Sequence, residues 1–149
     1  KLFSKYTTLK DLSSALYTDV LHIFKSLNYN KTKAKNVIAC AIILVDSYNG
    51  VVPHDLDKLI SLPGVGRKTA NVFLSEHGKD AIGVDTHLAY ISRKLHWTGN
   101  TNPHKIEMDL KILFPKTIWS QINPIVVRFG KKYTSRKKKD LLIEKVKQM

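Results

Sequence analysis

The sequence predicts an all-α fold. Apolar residues recur at helical spacing in almost every segment, and capping residues, Gly and Pro punctuate those segments. Val51-Val52 and Val126-Val127 are the only strand-like doublets. At 149 residues the chain is one domain's worth of sequence, long enough to bury a core.

Thr8 to Asp11 has the pattern of a capping box opening a short helix. Thr18 is the expected cap of the next helix, whose apolar face comprises Val20, Ile23, Phe24 and Leu27. The longest helix is expected over Asn30 to Tyr48, with Val37, Ala41, Leu44 and Tyr48 in register and Asn49-Gly50 as its stop. After Pro53, a shorter helix over about 55–61 leads into Gly64-Val65-Gly66, two glycines expected to allow φ > 0. A further helix runs from about Arg67 to His77 and ends at Gly78. Residues 81–84 form an apolar connector, and Asp85 caps a helix carrying Leu88, Ile91 and Leu95 on one face. Asn102-Pro103 pairs an N-cap with proline at the first helical position, ahead of Ile106, Leu110 and Leu113. Ile118, Ile122, Ile125 and Phe129 continue at helical spacing, where Asn123-Pro124 is expected to break or restart the helix. These elements suggest a helical domain over 1–134, with a helix–hairpin–helix at about 55–77, and a basic C-terminal tail over 135–149.

The net charge of +13 arises from 25 Lys and Arg against 12 acids, a balance that favours a polyanionic partner. No long amphipathic stretch has the bulky apolar anchors of a membrane-surface helix, so nucleic acid is the expected partner. No apolar run approaches the roughly 20 residues of a membrane-spanning helix. The opening Lys1-Leu2-Phe3-Ser4 lacks the layout of a signal peptide, so a cytoplasmic location is expected, nucleoid-associated in a bacterium. The single cysteine, Cys40, excludes a disulfide within the chain and a cysteine-ligated zinc or iron–sulfur site built from it alone. Its apolar surroundings, Val37 to Val45, suggest a small buried side chain.

Two motifs carry chemistry. Leu62-Pro63-Gly64-Val65-Gly66-Arg67-Lys68-Thr69-Ala70 reads as a tight hairpin joining two helices, and Val84-Asp85-Thr86-His87 follows. Main-chain N–H groups at the positive end of a helix form a site for a phosphate oxygen. An amine in such a place, among other cations, sheds its proton more readily and attacks an electrophilic carbon to form a Schiff base. Asp85 is placed to accept a proton or to stabilise a cationic sugar-like transition state. Singly, Lys68 reads as a solvated helix residue and Asp85 as a plain N-cap. As a pair beside the hairpin, they favour the catalytic reading.

With these residues the chain resembles the helix–hairpin–helix DNA glycosylases, specifically the endonuclease III branch. The similarity extends upstream through Asn28 to Ala34 and Asn49 to Pro53, and downstream to Phe129-Gly130 and Tyr133-Thr134. The resemblance implies removal of oxidised pyrimidines from double-stranded DNA, followed by cleavage at the abasic sugar. Lys68 would be the Schiff-base nucleophile and Asp85 the carboxylate that assists it. A lysine at this position distinguishes bifunctional glycosylase/lyases from the adenine-specific relatives. Gly64, Val65 and Gly66, with Arg67 and Thr69, match the element that grips backbone phosphates, with a monovalent cation bound at the hairpin. Tyr29 falls where the family places a side chain that wedges into the stack emptied by base flipping. A tyrosine packing at a helix start reads equally well there. His87 is a helix-start packing or phosphate-contacting residue. The resemblance also implies a monomer.

Two departures stand out. The family usually carries four C-terminal cysteines that hold a [4Fe–4S] cluster, whereas Ser135 stands at the first such position and Arg136 to Lys139 follow. The expectation is therefore no iron–sulfur cluster and no required cofactor. Relatives also begin earlier, so this chain looks like the fold without its first helices. A non-catalytic helix–hairpin–helix duplex-binding module and an inactive glycosylase remnant are the alternatives.

Overall fold

Side-chain caps open five of the ten α-helices in the computed structural model, which describes residues 1–148. The described residues form ten α-helices and one 3-10 turn, with no strand. No helix among them is long and apolar enough to cross a membrane. Their packing divides the chain into two units, Lys1–Gly66 and Arg67 onward.

The first unit comprises α1 (Leu2–Lys5), α2 (Leu9–Ser13), α3 (Tyr17–Ile23), α4 (Asn30–Tyr48) and α5 (Leu56–Ile60). Thr8 opens α2 with a reciprocal capping box to Asp11. Thr18 is not the cap of α3; Leu16 occupies that position without a side-chain bond. Burial of Val20, which has no exposed surface, fixes where this helix lies and places Thr18 inside its first turn. Such burial stabilises by about 1.5–3 kcal/mol, more than a typical cap contributes. The α2 and α3 helices pack on α4 around Leu2, Tyr6, Leu12, Val20, Ala34 and Ala41. Asn49 and Gly50, at φ 51° and 76°, end α4 in the left-handed region. Asp55 caps α5 by accepting from Lys58 N–H at 2.9 Å.

The hairpin after α5 is closed by Val65 N–H donating to Leu62 O at 3.1 Å. Only one of its glycines is at positive φ, namely Gly64 at 79°. A Cβ at Gly64 would lie 2.8 Å from Asn36 Nδ2, so close packing also demands glycine there. Gly66 keeps an ordinary backbone and has nothing within 4 Å of where its Cβ would be.

The second unit comprises α6 (Arg67–Glu76), α7 (Thr86–Lys94), α8 (Pro103–Leu113), a 3-10 turn (Lys116–Ile118), α9 (Trp119–Lys132) and α10 (Arg136–Lys147). Its core gathers Ile82, Val84, Leu88, Ile91, Ile106, Leu110, Ile122, Val126 and Ile143. Asn102 caps α8 ahead of Pro103. The expected break at Asn123-Pro124 does not occur, and α9 runs through Pro124. The proline removes one main-chain bond, at about 3 kcal/mol. Burial of Ile122 and Val126 offsets it, at about 1.5–3 kcal/mol for each fully buried side chain.

Residues 136–147, within the expected basic C-terminal tail, form α10. Ser135 caps it, Ile143 is buried in the core, and Asp140 accepts from Tyr90 Oη while pairing with Lys94 at 3.3 Å. The Tyr90 hydroxyl and then Lys94 hold the Asp140 carboxyl below the usual carboxylate range.

Candidate active site

Lys68 is the second residue of α6, and Asp85 is the cap of α7. A nine-residue stretch of turn and connector (77–85) separates the two helices, and its apolar residues Ala81, Ile82 and Val84 are buried. Burial of that short run returns the chain to α6 and sets Asp85 at the edge of the core. Lys68 and Asp85 line one open cleft of about 890 Å³, together with Val72, Thr86, His87, Asn123 and Lys131.

Asp85 Oδ1 accepts the Leu88 N–H at 2.8 Å, which orients the carboxylate. No hydrogen bond among the described residues occupies its Oδ2. Lys68 is exposed and its Nζ makes no ion pair among the described residues. Arg67, next to it, is engaged: its Nε and Nη2 donate to Glu107 at 2.8 and 3.1 Å. Glu107 also accepts from Lys111 Nζ at 2.7 Å, and its side chain is 2% exposed. Burial opposes ionisation of Glu107, but hydrogen bonds from Arg67 and Lys111, with their charges, hold its carboxyl below the usual range. Two neighbouring cations thus behave oppositely, one locked and one available.

Four further features were not evident from sequence. A Cβ at Gly83 would collide with Val72 Cγ2 and lie 3.1 Å from Val72 N. The connector therefore presses directly on α6. Asn123 Nδ2 donates to Gly83 O at 2.5 Å, and Lys131 adds a cation to the cleft. A smaller recess of about 250 Å³ is lined by Arg67, Lys68, Asn71 and Glu107.

Of the remaining candidate residues, His87 also lines this cleft, while the hairpin residues and Tyr29 do not. Thr69 is exposed on α6. The His87 ring packs on Gly130, where a Cβ would collide with Nδ1. Gly64, Val65, Gly66 and Tyr29 belong to the first unit. Tyr29 is 83% exposed and left-handed at φ 57°, at the N-cap position of α4. That conformation costs a non-glycine residue about 1–2 kcal/mol. Its ring neither caps the helix nor fills a core. Cys40 is only partly buried, and desolvation pushes its thiol up from the ordinary value.

A family model described as HhH-GPD superfamily base excision DNA repair protein matches residues 1–116. The chain belongs to this superfamily. It is similar to endonuclease III of Thermotoga maritima, 40% identical over 133 residues, covering 89% of this chain and 62% of that protein. Endonuclease III of Bacillus subtilis is 36% identical over 134 residues, covering 87% and 60%. The chain thus spans about three-fifths of these relatives' length. A trapped endonuclease III–DNA covalent intermediate matches with a TM-score of 0.84 at 36% identity, covering 90% of this chain and 64% of that one. A thermostable thymine-DNA glycosylase matches with a TM-score of 0.74 at 20% identity, a likeness of fold. The all-α HhH-GPD architecture expected from the sequence is the one found.

Proposed function

We propose that the protein is a DNA glycosylase with abasic lyase activity, acting on oxidised pyrimidines in double-stranded DNA. The observation that carries this reading is the shared cleft of Lys68 and Asp85, in which the amine has no intramolecular ion pair and one carboxylate oxygen has no hydrogen-bond partner among the described residues. Membership of a base-excision repair superfamily supports it, as does similarity to an endonuclease III captured covalently with DNA.

In this reading the neutral Lys68 amine attacks C1′ of a flipped nucleotide. The C1′–N bond breaks with its electron pair leaving on the base, which takes up a proton. Asp85 stabilises the oxocarbenium-like state and accepts the proton lost from nitrogen. Ring opening gives a protonated Schiff base between Lys68 and C1′. Loss of a C2′ proton then expels the 3′ phosphate, and water releases the amine. Tyr29, exposed and held left-handed, is the side chain that enters the vacated stack. The hairpin 62–66, with Gly66 unobstructed, takes a backbone phosphate, and its main-chain carbonyls would hold a monovalent cation. Thr69 and His87 complete the phosphate contacts, and Arg67 contributes to the field from its place on Glu107.

The residues present do not fit a [4Fe–4S] cluster. Ser135 Oγ is used as the cap of α10, Arg136–Lys147 is a continuous helix without a thiol, and Cys40 lies on α4. We therefore read the chemistry as needing no cluster, and the working state as a monomer acting on DNA in the cytoplasm.

Borohydride trapping on an abasic duplex tests the reading. The parent should give a covalent adduct, and Lys68→Ala none, with duplex affinity within about twofold. A folded parent that never traps would move the assignment to a non-catalytic duplex-binding module, and an adduct that survives Lys68→Ala would show that another amine is the nucleophile.

A further inference from the structure

Asp85 sits on a segment that α9 grips on both sides. Two residues before it, the Gly83 carbonyl accepts Asn123 Nδ2 at 2.5 Å in a buried contact. Two residues after it, the His87 ring lies against Gly130, where any Cβ would collide. Asn123 and Gly130 are two turns apart on α9, hence on one face of it. On its other side, Gly83 is pressed onto α6. The position of its missing Cβ lies 3.1 Å from Val72 N and 3.4 Å from Lys68 O. The connector is therefore clamped between α9 and the turn of α6 that begins at Lys68.

We propose that Asn123 is a positioning residue that sets the spacing of Lys68 and Asp85 by holding the Gly83 carbonyl. Asn123 is 8% exposed, and its amide has a specific partner forty residues away. A buried donor left without a partner is costly, so this contact holds the connector and α9 together. Releasing it lets the connector lift from α9, and Asp85 then loses its register against the lysine. The proposal rests on the reading of Lys68 and Asp85 as the reacting pair.

Asn123→Leu removes the donor at similar volume, and Asn123→Ala carries the same measurements should the leucine variant fold poorly. Single-turnover base release from a duplex bearing one thymine glycol should fall at least tenfold, with affinity for the intact duplex within about twofold. Combined with Asp85→Asn, Asn123→Leu should add less than a twofold further loss, because it acts through the same carboxylate. Independently of activity, hydrogen exchange at the Leu88 amide, which Asp85 caps, should quicken at least tenfold, and that at Leu110 on α8 should not. Unchanged exchange at Leu88, or a full multiplicative loss in the double variant, overturns the proposal. If the parent releases no base while Leu88 exchange quickens, the glycosylase reading falls and the clamp stands.

Discussion

At Lys68 and Asp85, the reactivity proposed above follows from what each side chain is not engaged in. Asp85 commits one oxygen to its own helix, and its other oxygen has no hydrogen-bond partner among the described residues. Asp85→Asn retains a capping oxygen, so the fold should survive, while single-turnover base release should slow by about 10²-fold or more. Parental rates in that variant would remove the carboxylate from the mechanism. The hairpin glycines offer a second contrast. Gly64→Ala meets Asn36 at 2.8 Å and a backbone at φ 79°, so thermal denaturation should show a loss of about 1–2 kcal/mol. Gly66→Val meets open space and an ordinary backbone, so stability should change by less than about 0.5 kcal/mol while duplex affinity drops. Equal affinity would mean that no phosphate approaches Gly66.

Between elements, the ion cluster at Glu107 ties the first turn of α6 to α8. Removing one partner of a buried pair costs about 3–5 kcal/mol, and Arg67 at 34% exposed places Glu107→Gln near the lower end. The Glu107 carboxyl is depressed in the folded state, so its contribution is full above the unfolded glutamate value of about 4.3 and fades as pH falls through the folded value. The stability gap between parent and variant, from urea denaturation, should therefore narrow at acid pH. A gap independent of pH would separate Glu107 from the ion cluster. Capping explains which boundaries the sequence revealed. Thr8, Asp55, Asp85 and Asn102 act on main-chain groups two or three residues away, so short windows contain all that is needed. The start of α3 and the passage through Pro124 depend on burial of Val20, Ile122 and Val126 against distant helices, which no local window contains. The same division applies at the cleft. Lys68 and Asp85 stand in recognisable motifs, but Asn123–Gly83 and Arg67–Glu107 each join residues forty positions apart.

Across the whole molecule, the +13 charge acts as a field rather than as a set of pairs. The cations of the C-terminal segment are carried on a folded helix, since α10 is anchored by Ile143 and Asp140. Truncating that helix would open the core, so charge reversal is the better test of whether it meets DNA. Lys137 and Lys145 are exposed. Lys137→Glu with Lys145→Glu should weaken duplex binding and flatten the plot of log affinity against log salt, by about one unit for each phosphate no longer neutralised. An unchanged slope would remove α10 from the DNA-binding surface.

Cys40 has a practical consequence. It is the sole thiol in the 149 residues, and partial burial disfavours the thiolate that exchange chemistry requires. A cysteine introduced at the exposed Lys131 on the rim of the cleft would outcompete it for a thiol-tethered oligonucleotide. A single defined cross-link could then hold DNA in place for crystallisation without any background substitution at position 40.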